Sequence, residues 1–179
     1  MTEFVPFPKI ARLKRGMVIT EKLDGTNACV HIFDDGTMKA ASRTRWITPE
    51  EDNYGFAAWV RDHEEELRGL GPGAHFGEWW GSGIQRRYNV PEKRFSLFNT
   101  SRWLATPPPA CCHVVPVLYS GDFDTNVVEQ QMERLRNEGS IAAPGFMKPE
   151  GVIIYLSAAR VLFKRTLEKD DEPKGKSGA

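Results

Sequence analysis

The sequence predicts an α+β domain with antiparallel sheets flanked by helices. Short apolar stretches with strand-like alternation are joined by tight turns containing Asp and Gly, and two stretches with helical spacing begin at capping residues and end at glycine. These elements do not alternate as regular strand–helix–strand units, so a doubly wound parallel sheet is not expected. A chain of 179 residues has room for one ordinary domain with a full core.

In chain order, Phe4-Val5-Pro6-Phe7-Pro8-Lys9-Ile10 is apolar and broken by proline, and is expected to lie as an ordered arm against the core. Strands are expected over 17–23, 28–33 and 37–42. Between the first two, Lys22-Leu23-Asp24-Gly25-Thr26-Asn27 reads as strand, turn, strand. Asp bonds its own backbone and Gly accepts a positive φ. Taken alone, this is a hairpin signal with a lysine at its mouth. Asp34-Asp35-Gly36-Thr37 is a second hairpin turn. A helix is expected to start at Thr48-Pro49-Glu50-Glu51, with Thr48 as cap and Glu51 completing a capping box. Phe56, Trp59, Val60, His63, Leu67 and Leu70 then form its stripe, and Gly71-Pro72-Gly73 stops it.

Residues 74–81 form a strand carrying Glu78 amid aromatics, and 81–88 a basic loop with glycines. One of Trp79 and Trp80 is expected in the core, the other toward a cleft or loop. In the strand at 93–99, Phe95 and Leu97 face one way and Phe98 the other. Pro107-Pro108-Pro109 is a rigid connection, and a strand follows from His113 to Tyr119. Asp124 or Thr125 caps a second helix that ends at Gly139. Segments 152–155 and 161–165 make the last hairpin. The domain is expected to span 1–167, with 168–179 a disordered charged tail.

Composition narrows the function. Lys+Arg and Asp+Glu number 24 each and cancel, which argues against a nucleic-acid binder working through bulk charge. Cys29, Cys111 and Cys112 are odd in number and form no CxxC pair, so neither a disulfide framework nor a zinc site is expected, and a cytoplasmic setting fits. No apolar run approaches the roughly 18 residues of a membrane span, so no membrane partner is expected.

Four features fall at or beside expected strand ends: Lys22 with Asp24-Gly25, Glu78, Glu150-Gly151, and Lys164 with Arg165. Arg43 lies beside another. Two lysines and two glutamates suit adenylyl transfer to an amine. One lysine is the nucleophile, and the other neutralises the α-phosphate as charge moves onto it. One carboxylate holds Mg²⁺, and another bonds the ribose hydroxyls.

Lys22-Leu23-Asp24-Gly25-Thr26-Asn27 resembles the first motif, K-x-D/H-G-x-N/R, of the covalent nucleotidyltransferases, meaning ATP-dependent ligases and capping enzymes. Ser42-Arg43 is similar to their arginine motif, Phe76-Gly77-Glu78 to the third motif and Arg94-Phe95-Ser96-Leu97-Phe98 to the aromatic strand after it. Glu150-Gly151-Val152-Ile153 resembles the fourth motif and Phe163-Lys164-Arg165 the fifth. The order holds from Lys22 to Arg165. Asn27, with Glu21 before the lysine, is similar to the phage-type RNA ligases that repair nicked RNA. DNA ligases and capping enzymes more often carry arginine at the Asn27 position, and those RNA ligases often have His where this chain has Asp24.

The resemblance implies a nucleotidyltransferase, ATP-grasp-like fold with a central nucleotide cleft, using ATP and Mg²⁺ or Mn²⁺. It implies that Lys22 attacks the α-phosphate and carries AMP, with Asp24 and Gly25 shaping its turn. Glu21 would lie near the adenine edge, Glu78 and Asn27 at the nucleoside, Arg43 at phosphate or the RNA end, and Phe98 on the adenine face. Glu150 would serve metal and phosphate, and Lys164 the α-phosphate. AMP would pass to an RNA 5′-phosphate, and a 3′-hydroxyl would seal the strand.

Two departures stand out. Many relatives carry Lys-x-Lys in the fifth motif, whereas here Leu162 and Thr166 flank Lys164-Arg165, and Arg165 should point to the opposite strand face. The phosphate clamp is therefore expected to be weaker or to be completed from elsewhere, for instance by Arg160 or Arg86. Many relatives also have a further C-terminal domain for nucleic acid. This chain is expected to act as a minimal catalytic core, adenylylating itself and leaving RNA engagement in part to a separate partner chain. The alternatives are nicked DNA as acceptor with the same chemistry, and a non-catalytic nucleic-acid end-binding module, which Lys22 disfavours.

Overall fold

A computed structural model describes residues 3–168. The strands are β1 (Gly16–Lys22), β2 (Thr26–Ile32), β3 (Met38–Ser42), β4 (Trp46–Ile47), β5 (Gly73–Gly81), β6 (Lys93–Leu97), β7 (Cys112–Val114), β8 (Val117–Asp122), β9 (Gly151–Leu156) and β10 (Val161–Thr166). The helices are α1 (Phe56–Asp62), α2 (Glu64–Leu67), α3 (Thr100–Ala105) and α4 (Thr125–Glu138). Two sheets result, one in the order β10-β9-β1-β8 and one in the order β4-β3-β2-β5-β6-β7. Among the described residues only β6 and β7 pair in parallel. The α+β class with antiparallel sheets is the class the sequence predicts.

Each sheet buries one face. In the six-stranded sheet, Ala28, Val30 and Ile32 of β2, Trp79 of β5 and Phe95 and Leu97 of β6 pack with Phe56, Val60 and Leu67 of the helices. In the four-stranded sheet, Met17 and Ile19 of β1 and Val152 and Ile154 of β9 pack on Val128, Met132 and Leu135 of α4. Strand alternation leaves the opposite faces free of these cores.

The turn at Asp24-Gly25 is not a hairpin. β1 pairs with β8 and β9, while β2 pairs with β3 and β5, so the turn carries the chain from one sheet to the other. Asp-Gly permits a sharp reversal of direction but does not select the partner strand. The glycine is required for a different reason than positive φ. A Cβ on Gly25 would stand 2.3 Å from the Trp79 carbonyl oxygen and 2.8 Å from Trp80 Cβ.

Other boundaries also moved. The first helix starts at Phe56, not at Thr48. Thr48 Oγ1 accepts only the Glu51 N–H, at 3.3 Å, in a local turn. Asp52 does the capping instead, its carboxylate accepting the N–H groups of Ala57 and Ala58 at 2.8 and 2.9 Å. The strand expected from His113 to Tyr119 is two strands, β7 in one sheet and β8 in the other. Pro116 has no N–H for a ladder and marks the crossing; its carbonyl accepts the Glu21 N–H at 2.9 Å. α3 was not anticipated; Asn99 caps it by accepting from the Arg102 N–H. The arm at 4–10 does not pack on the core: Phe4, Val5, Phe7 and Ile10 are 83–85% exposed. Pro6 and Pro8 lack the donors it would need to join a sheet edge. The second helix starts at Asp124 as expected, the side chain accepting from Asn126 N–H at 2.8 Å. The tail expected over 168–179 lies, from 169 on, outside the described residues.

Candidate active site

Register places Lys22 beside Glu150. β1 ends at Lys22, opposite Gly151 at the start of β9, so the residue before Gly151 reaches the lysine. Lys22 Nζ stands 2.5 Å from Glu150 Oε2, with side chains only 18% and 15% exposed. Gly151 makes this start possible. A Cβ there would meet the Arg165 carbonyl oxygen at 2.0 Å, and its φ is +151°.

Glu78 reaches the same turn from the other sheet. It sits on β5, opposite Asn27 on β2 and Ser96 on β6. Its Oε1 accepts the Gly25 N–H at 3.1 Å. Burial pushes its carboxyl up to about 7, against the opposing pull of Lys22, the Gly25 N–H and Arg43, while Glu150 adds a smaller push upward. Lys22, Glu150 and Glu78 thus meet where the two sheets join. Arg43 is exposed just beyond β3, and its charge is felt at Glu78. Phe98 follows β6, its N–H donating to the Phe76 carbonyl, and is 40% exposed. Leu97 is fully buried and Phe98 faces the other way, as the alternation predicts.

Lys164 lies on β10 opposite Ile153, which is opposite Thr20 on β1. Cross-strand partners share a face, and Thr20 and Lys22 share a face by alternation, so Lys164 is exposed on the Lys22 side of the sheet. Arg165 goes to the α4 side as expected, 2.5 Å from Glu129 Oε1. Arg160 lies in the turn before β10, at the end of the sheet where Ser157 N–H donates to Gly16, away from Lys22. Arg86 is at the site. Its Nε donates to Asp24 Oδ2 at 2.8 Å and its Nη1 to the Lys148 carbonyl at 3.1 Å.

Glu21 faces away from Lys22, into the α4 side. Its carboxylate accepts from Ser140 Oγ at 2.5 Å and from the N–H groups of Ile141 and Ala142 at 2.9 Å each. Burial pushes its carboxyl up, and these donors pull it back.

Tyr88, which the basic loop suggests for stacking on a strand, is instead turned inward. Tyr88, fully buried, accepts the Asp24 N–H on its hydroxyl at 2.8 Å. It belongs to a loop in which Gln85, Arg87, Tyr88 and Asn89 all have positive φ, a costly backbone held by buried Ile84 and Tyr88. The sequence signal was the basic loop itself; the strain and the contact were not visible there.

Among the described residues no group of three or more His, Cys, Asp and Glu could by itself hold a metal ion. A hard divalent ion would fit through one or two carboxylates, Glu150 first, completed by phosphate oxygens. No helix of the described residues is long and apolar enough to cross a membrane.

Two largely antiparallel sheets that join at a paired lysine and glutamate, with a second glutamate at the junction and a second lysine on the same sheet face as the first, define the class: a domain built around one held amine. The RNA ligase family model matches residues 15–166, and the chain belongs to that family. By fold it is similar to variants of Naegleria gruberi RNA ligase. One solved with ATP and Mn aligns with TM-score 0.61 and 21% identity, covering 86% of this chain and 50% of that one. A second solved with ATP and Mn gives 0.60 and 21%, over 88% and 52%. A third, with AMP and Mn, gives 0.59 and 20%, over 84% and 49%. The chain thus spans about half the length of these structures. The search of curated proteins by sequence found no match.

Proposed function

We propose that this chain is the adenylyltransferase domain of an ATP-dependent RNA ligase, with a nucleotidyltransferase fold over residues 1–167 and a nucleotide cleft between its sheets. The observation that carries this reading is the Lys22–Glu150 pair at the sheet junction, with Glu78 across from it. Fold relatives solved with ATP or AMP and Mn support the same nucleotide and a divalent ion, Mg²⁺ or Mn²⁺.

Lys22 is the nucleophile. Its nitrogen bonds to the α-phosphorus of ATP, the bond to the bridging oxygen breaks, and pyrophosphate leaves. The product is lysyl-AMP. The attacking amine must be neutral, so the close pair with Glu150 has to open or pass its proton to the carboxylate. Lys164, on the same face, stabilises charge on the α-phosphate oxygens. Arg86 orients Asp24, and with it the turn that ends in Gly25. Glu78 and Asn27 meet the nucleoside, Phe98 its base, and Arg43 the phosphate or RNA end. Glu21 holds its strand through the 140–142 segment, so a role near the adenine edge falls to the strand it positions. A bound divalent ion would neutralise phosphate charge beside Glu150. AMP then passes to an RNA 5′-phosphate, and a 3′-hydroxyl displaces it. The three free cysteines suit a cytoplasmic setting.

The test is incubation with α-labelled ATP or GTP and Mg²⁺. Label that survives denaturation and is lost in Lys22→Ala supports the reading and names the nucleotide. No covalent label with either nucleotide overturns it in favour of an end-binding module. Nicked duplexes with RNA or DNA on the 3′-hydroxyl side then sort the acceptors.

A further inference from the structure

The open face of the six-stranded sheet continues well beyond Asn27 and Glu78. Cross-strand partners put His31 and Lys39 on that face, and also Ala41 and Trp46. Phe33 follows by alternation. The rings gather at the far end of β2: His31 and Phe33 centroids are 4.4 Å apart, and His31 and Trp46 are 5.7 Å apart, edge to face. Lys39 Nζ lies 5.7 Å from both the Phe33 and the Trp46 ring centres. Trp46 is 52% exposed, whereas Trp79, Trp80 and Trp103 are buried.

We propose that this shelf of Trp46, Phe33, His31 and Lys39 stacks unpaired nucleotides of the RNA strand whose end lies at Lys22. The inference rests on the RNA ligase reading and adds where the strand runs. Continuity identifies the occupant. His31 is four residues along β2 from Asn27, about 13 Å at strand rise, a span on the order of four stacked nucleotides. Exposed rings with a cation over them are what a nucleic-acid strand stacks on, and Arg43, next after the Ser42 that stands opposite Ala28, adds a cation at the junction end of the same two strands. Carboxylates flank the shelf too. Asp35 is turned onto Thr37, Glu51 is 4.0 Å from Arg45, and Asp34 sits in the turn after Phe33. With signs balanced, stacking dominates, and the salt dependence of binding should be shallow.

The experiment measures binding of a single-stranded oligoribonucleotide with a 5′-phosphate to the full chain, followed by tryptophan fluorescence and by anisotropy of a labelled strand. The same preparations are assayed for nucleotide labelling at Lys22 and for thermal melting. Wild type should bind with quenching of an exposed tryptophan. Trp46→Ala should weaken binding about 5- to 150-fold, the range for losing one stacked base. Lys39→Ala should weaken it less, and Trp46→Phe should restore most of it. Melting and labelling should not change. Equal binding by wild type and Trp46→Ala, or no RNA binding by wild type, overturns the shelf. Loss of labelling in wild type overturns the ligase reading instead, and the binding series still decides the shelf. If Trp46→Ala misfolds, Lys39→Ala and Trp46→Phe against wild type carry the decision.

Discussion

Two carboxylates lie close to the nucleophile candidate, Glu21 buried and Glu78 half-buried, and they live in opposite conditions. Glu21, on the α4 side of the four-stranded sheet, has three donors on its two oxygens. Glu78, at the sheet junction, has the single Gly25 N–H, and burial pushes it up to about 7. Burial alone therefore does not mark a functional carboxylate. The saturated one is an anchor for the chain. The one left short of donors has lone pairs to offer a ligand, and the protein bears the cost of burying it. Adjacent residues on one strand, Glu21 and Lys22, fall on the two sides of this division.

The anchor should carry the largest effect. Glu21→Ala leaves the Ser140 hydroxyl and two backbone N–H groups without their acceptor in a buried segment. We expect a loss of about 3 to 5 kcal/mol, since each buried donor left unpaired costs about 1–3 kcal/mol. Urea unfolding followed by circular dichroism checks this. A loss under about 1 kcal/mol would show that the 140–142 segment does not depend on Glu21.

Glu78→Gln should act in the opposite direction. The folded carboxyl titrates near 7 and the unfolded one near its ordinary 4.5. Between those values the folded state holds more protons than the unfolded state, so stability falls as pH rises. Below 4.5 there is no cost, and above about 7 the full cost applies, about 3 kcal/mol. Glutamine removes the charge. The variant should match wild type at pH 4.5, exceed it by up to about 3 kcal/mol at pH 8, and lose nucleotide labelling. Melting curves at the two pH values check it. A wild type whose stability does not fall across this window would refute the half-buried, donor-poor description of Glu78.

The two carboxylates also show what could be read from sequence. Most of the strands, the helix after Asp124, the last hairpin and the order of motifs were legible because each is a local pattern. Lys22, Glu78 and Glu150 could be named because motif order stands in for distance. The anchoring of Glu21 could not, since its partners lie about 120 residues on, in a segment with no motif. The sheet crossing at Asp24-Gly25 was hidden for the same reason. The partner of β2 is β5, and the glycine is demanded by Trp79 and Trp80, which no local pattern connects to it. The strand expected from His113 to Tyr119 ran through Pro116, although a proline in a central strand argues against one continuous strand.

The smallest effect should come from Arg165, the residue that most nearly completes the missing second lysine. It stands opposite Val152, which stands opposite Glu21, so all three face α4. Its ion pair with Glu129 joins side chains 40% and 61% exposed, a setting in which such pairs contribute about 0–1 kcal/mol. Arg165→Ala should therefore change stability by no more than about 1 kcal/mol and leave nucleotide labelling at the wild-type rate. The adjacent Lys164 faces the Lys22 side, so the two positions differ only by the alternation of the strand. Measured side by side, labelling rates of Arg165→Ala and wild type that agree would assign the α4 face to structure alone. A large drop in Arg165→Ala would mean that β10 turns its other edge to the nucleotide, and the division between the two faces would have to be redrawn.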